Sequence, residues 1–181
     1  MAGVRFHVKE SEKSYVVWQN RGLRFYLGSR LCYFAAELAP AAYCANQSIE
    51  QLLKGTLVYA DPKFTPKAHG HGIAKMMRMV KNQMNADLHI PEYFCEEQRY
   101  NVTTRYPAES GRGFGVPASF LDDLDSVFFQ LLQLVPFQFN TELKHVLKGR
   151  RYPARLNTLR RNNRQMRGLR RYLGVRLDKR K

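Results

Sequence analysis

The stretch Pro117-Ala118-Ser119-Phe120-Leu121-Asp122-Asp123-Leu124-Asp125-Ser126-Val127-Phe128-Phe129-Gln130-Leu131-Leu132-Gln133-Leu134-Val135-Pro136 reads as one long helix. Leu121, Leu124, Val127, Phe128, Leu131, Leu132 and Val135 recur three and four residues apart, which sets them on one side of a 3.6-residue helix. Pro117 opens it where a missing amide costs little, and Pro136 stops it. Asp122 and Asp123 fall in the first turns, at the positive end of the helix dipole.

The same spacing recurs upstream. Val17, Leu23, Leu27, Leu31, Phe34 and Leu38 predict a helix from Tyr15 to Leu38. Gly22 and Gly28 each weaken it by roughly 1 kcal/mol relative to Ala. Pro40 fits the first turn of a second helix, Ala41–Tyr59, with Ile49, Leu52, Leu53, Leu57 and Val58 broadly on one side. Pro62 and Pro66 mark a loop, after which Ile73, Met76, Met77, Val80 and Met84 predict a third helix. Pro91 begins a short helix to Arg99, and Tyr106-Pro107 with glycines 111, 113 and 115 predicts a loop. Strand signals are almost absent. The expected fold is all-α: a four- to five-helix up-and-down bundle over residues 14–139, a polar arm before it (1–13) and a basic helical extension after it (140–181).

Charge divides the chain more sharply than hydrophobicity does. The net charge is +15, and residues 141–181 hold fifteen Lys and Arg against Glu142 and Asp178, or +13, leaving +2 for residues 1–140. A nearly neutral body with a basic end is the asymmetry of a partner-binding segment. Within that end Tyr152, Leu156, Leu159, Met166, Leu173 and Leu177 fall on steps of three and four, with Asn163 and Arg170 in the gaps. The stripe predicts an amphipathic helix, breakable at Gly168 and Gly174, with an arginine side. Guanidinium binds phosphate through paired hydrogen bonds that an ammonium does not reproduce. Arg150, Arg151, Arg155, Arg160, Arg161, Arg164, Arg167, Arg170 and Arg171 are therefore the expected nucleic-acid contacts. An acidic protein, an anionic membrane surface or plain solvation are the competing readings of the same charge.

Cys32, Cys44 and Cys95 are odd in number and lie in apolar surroundings, which reads as reduced, buried thiols of a cytoplasmic protein. Met1–Glu12 carries charges throughout and has no signal-peptide core, and no run approaches the ~20 apolar residues of a membrane span.

On the second helix Gln47, Glu50 and Lys54 stand at i, i+3 and i+7, on one face. This Gln-x-x-Glu-x-x-x-Lys pattern, with Leu57 beyond it, resembles the HEPN family of small nucleotide-binding helical bundles. His71 ahead of Ile73 resembles the histidine that often opens that family's third helix. Tyr100 through Arg105-Tyr106-Pro107 resembles the extended element of one of its branches. The resemblance covers roughly residues 31–135 and implies nucleotide or nucleic-acid binding, with Gln47, Glu50, Lys54, His71 and Arg105 near a shared cleft. It implies RNA ahead of DNA, a possible homodimer, and a place in a larger assembly or defence system, alternatively as a ribonuclease or as the partner of a nucleotidyltransferase. The family's ribonucleases carry an arginine four to six spacers before a histidine. None of His7, His69, His71, His89 and His145 has one, so no catalytic residue is assigned.

His69-Gly70-His71 lacks a Cys or carboxylate at ligand spacing, so no metal is expected. Gly111-Arg112-Gly113-Phe114-Gly115 lacks the preceding strand of a dinucleotide fingerprint, and no cofactor is expected. Glu50–Lys54 and Arg105 would serve equally well as bonds that lock the bundle.

Overall fold

A computed structural model describes residues 14–66, 72–95, 115–135, 142–148 and 153–165. The fold is all-α: the described residues form seven helices and no strand. They are α1 (Tyr15–Phe34), α2 (Leu38–Ala60), α3 (Ile73–Met84), α4 (Glu92–Cys95), α5 (Phe120–Gln133), α6 (Glu142–Lys148) and α7 (Pro153–Arg160).

The first two helices form the frame. α1 stops at Phe34 rather than running on to Leu38, because Ala36 turns into the left-handed region at φ 62°. The amides of Ala35 and Glu37 close that turn on the carbonyl of Cys32. The link is too short for anything but an antiparallel return, so Pro40 comes to lie in the first turn of α2.

Small residues let the two axes approach. A Cβ placed on Gly22 would lie 2.7 Å from Leu52 Cγ, and one on Gly55 would lie 3.1 Å from Trp18 Cβ. Ser29 Oγ donates to the Ala41 carbonyl (2.7 Å) and Ser48 Oγ to the Gly22 carbonyl (2.9 Å), so these two hydroxyls fill the same seam with their own hydrogen bonds made. Gly22 thus trades helix propensity for contact. Gly22→Val is expected to lower unfolding free energy by about 1–3 kcal/mol through overpacking. Urea titration checks this, and a variant as stable as the parent would show that the seam has slack.

α5 buries every residue of its expected stripe, and α2 buries Ile49, Leu52, Leu53, Leu57 and Val58. Ile73, Met76 and Val80 of α3 and Phe94 of α4 close the same core. Leu143, Val146 and Leu147 of α6 and Leu159 of α7 join it too, so the basic end contributes four side chains to the bundle interior.

Three expectations are corrected. Leu31, expected on the buried stripe of α1, is exposed. The three free cysteines are half-buried rather than enclosed. The stripe from Tyr152 to Leu177 is not one continuous helix, because α7 ends at Arg160 and Asn162 takes φ 51°, a left-handed conformation that asparagine tolerates better than most residues. Tyr152 and residues 166–181 lie outside the described residues, as do the polar arm, the part of the expected Pro91–Arg99 helix beyond Cys95, and the loop around Pro107.

Candidate nucleic-acid interface

One arginine fixes the basic end to the bundle. Arg30, near the end of α1, has no solvent exposure. Burying a guanidinium costs several kcal/mol unless each of its donors is matched. Here Nε donates to the Thr158 carbonyl at 3.0 Å, Nη1 to both oxygens of Asp125 (2.5 Å to Oδ2), and Nη2 to the Arg161 carbonyl. α1, α5, α7 and the turn after α7 therefore meet at one side chain.

Tyr26, one turn earlier on α1, lies with its ring 3.8 Å from that of Phe128 and donates its hydroxyl to Asp125 Oδ1 at 2.6 Å. The same hydroxyl accepts from Asn163 Nδ2 at 2.8 Å, and that amide also reaches the Leu159 carbonyl at 3.0 Å. Asn163 thus spends its side chain holding the turn that Asn162 begins. Burial, then the neighbouring Asp125 charge, pushes the Tyr26 hydroxyl well above the ordinary phenol range. Burial also raises the Asp125 carboxyl, against the pull of Arg30.

Burial, with Cys32 beside it, pushes the Cys44 thiol up to about 11. A group raised in the folded state adds stability that is complete below its unfolded value and is lost as pH rises through the folded one. Urea midpoints are therefore expected to hold up to about pH 9 and to fall as pH approaches 11. Cys44→Ala should remove the thiol part of that fall and leave the Tyr26 part; a midpoint unchanged up to pH 11 contradicts both assignments.

The anchored turn leaves its cations outside. Arg160, Arg161 and Arg164 are exposed. The Arg161 guanidinium carbon stands 4.1 Å from the Phe34 ring centroid, a cation–π contact. Arg164 Nη1 is 3.8 Å from Asp122 Oδ2, an ion pair in full solvent that stabilises little. Beside this turn opens a cleft of about 700 Å³. Tyr33, Phe34, Ala118 and Leu121 form its apolar wall, and Asp122, Arg160, Asn162, Asn163 and Arg164 its polar one. Its size suits a small organic ligand.

Of the expected contacts, Arg160 and Arg164 line this cleft, and Arg161 lies on the ring of Phe34, one of its wall residues. Arg155 is half-buried and lines a smaller groove of about 220 Å³ with Arg24, Leu31 and Thr158. Arg150, Arg151, Arg167, Arg170, Arg171, His71 and Arg105 lie outside the described residues. On α2, Lys54 Nζ donates to Glu50 Oε1 at 2.6 Å and Gln47 Nε2 to Glu50 Oε2 at 3.3 Å. Lys54 also lies 5.7 Å over the Trp18 ring. With Glu50 1% and Lys54 6% exposed, the pair is a buried bond within α2 that touches α1 through the Trp18 ring, and neither residue lines the cleft.

The roles of Tyr26, Arg30, Tyr33, Phe34 and Asp125 at this site escaped sequence reading, which placed Phe34 only on the apolar stripe of α1. Their one signal was an arginine inside the aromatic stripe Tyr26, Arg30, Phe34, and an acid inside the apolar stripe of α5.

Among the described residues no His, Cys, Asp and Glu group could hold a metal ion, and no helix is long and apolar enough to cross a membrane. No protein-family model matches the chain, and neither a curated protein nor a solved structure does.

Proposed function

We propose that the protein binds nucleic acid, RNA ahead of DNA, by holding the phosphate backbone on the arginines of residues 150–171. The observation that carries this reading is the trio Arg160, Arg161 and Arg164, exposed together on a turn that a buried Arg30–Asp125 pair holds in place. Flexible cations lose entropy on binding, and a turn fixed beforehand reduces that loss. The concentration of +13 in residues 141–181 supplies the long-range attraction. The preference for RNA rests on the HEPN resemblance, which also makes a second copy of the chain or a nucleotidyltransferase the expected company in a larger assembly.

Binding of labelled RNA and DNA across a salt series, by the whole chain and by a chain ending at Gln165, tests the proposal. Affinity and salt slope that change neither on shortening nor on replacing Arg160, Arg161 and Arg164 together by alanine would sink it.

A further inference from the structure

We infer that the cleft beside the arginine trio takes one unpaired nucleotide, its base against the aromatic wall and its phosphate on Arg160. The inference rests on the proposed nucleic-acid binding and narrows it from any phosphate backbone to a single strand.

Two observations lead there. Phe34 already carries a flat, delocalised cation, the Arg161 guanidinium at 4.1 Å, on its ring. Arg161 is exposed and free to swing aside, and unpaired bases stack on aromatic rings and on arginine planes, so a base takes the place of that guanidinium on the ring. The cleft is also concave and about 700 Å³ in volume, room for a nucleotide but not for a double helix.

Asp122 sharpens the choice. It is the one acid among the described lining residues and stands 3.8 Å from Arg164. A carboxylate there opposes a continuous row of phosphates across the mouth, as a duplex would present. A single strand that turns its base inward sends only one phosphate past it.

The test compares a short labelled oligouridylate with an RNA duplex of equal charge, using the whole chain. Phe34 is half-buried and also packs on Arg30, so Phe34→Leu, which keeps bulk, is preferred to alanine. Phe34→Leu should weaken single-strand binding roughly 5- to 150-fold, the effect of losing one base–aromatic stack, and weaken duplex binding, which loses only the support of Arg161, by clearly less. Phe34→Trp should restore the single-strand affinity, and thermal unfolding of both variants verifies that each is folded. Equal losses on strand and duplex, or no loss on either, overturn the inference. So does uridine monophosphate competing as well as the strand, since the cleft would then serve a free nucleotide. A parent chain that binds neither strand nor duplex overturns the nucleic-acid reading itself, which is a different result from a selective failure at Phe34.

Discussion

Arg30→Ala is expected to lower the unfolding free energy by about 3–5 kcal/mol, the cost of leaving a buried charge without its partner. The loss has three sources. Asp125, 1% exposed, keeps its burial but loses its cation, and the carbonyls of Thr158 and Arg161 lose their donor. The Phe34 ring also loses the guanidinium that lies 5.5 Å from its centroid. For a chain of this size the thermal midpoint moves roughly 2–4 °C per kcal/mol, so a fall of roughly 6–20 °C is expected by calorimetry. Arg30→Met combined with Asp125→Leu should recover part of it, because apolar side chains of similar volume often replace a buried pair at little cost. A single variant within about 1 kcal/mol of the parent would mean that the network is not holding the helices together.

Ending the chain at Gln165 should have the largest effect on binding. It removes Arg167, Arg170, Arg171, Arg176, Lys179, Arg180 and Lys181, seven of the fifteen cations in residues 141–181. If each is a phosphate contact, the slope of log affinity against log salt flattens by roughly 0.7 per contact on a single strand, or about 5 in all. Helices α1 to α7 keep their core residues in that chain. A cut ahead of Glu142 would not, since it also takes Leu143, Val146, Leu147 and Leu159 out of the interior. Loss of binding after that earlier cut would report unfolding, and only the later cut separates charge from structure. A salt slope unchanged by the later cut would leave phosphate contacts to residues before 166.

The helices were legible where one face is apolar and the ends carry proline. Leu121 through Val135 set α5, and Ile73 through Met84 set α3, because burial of a regular stripe follows from spacing alone. The end of α1 was not. Ala36 takes a left-handed φ with no glycine to announce it, held by the antiparallel return of α2. Gly22 looked like a weakness of α1 until Leu52 occupied its vacant side.

The site was legible in its charge and hidden in its geometry. Arginines 160, 161 and 164 stood out by composition. Their cleft depends on Tyr33 and Phe34, more than a hundred positions earlier, and on Arg30 meeting Asp125 across a separation of 95 residues. A lone arginine in a helix reads as a solvated charge by default. Only α5, with Asp125 on its buried face, tells otherwise.

The way Arg30 grips the basic end has an evolutionary consequence. Two of its four contacts are main-chain carbonyls, those of Thr158 and Arg161, which exist whatever side chains stand there. Substitutions at 158, 160, 161 and 164 could therefore retune what the surface prefers without loosening its attachment. The bundle offers a fixed mount with exchangeable fingertips, and selection can alter specificity there while fold stability, set at Arg30, Asp125 and Asn163, is left alone.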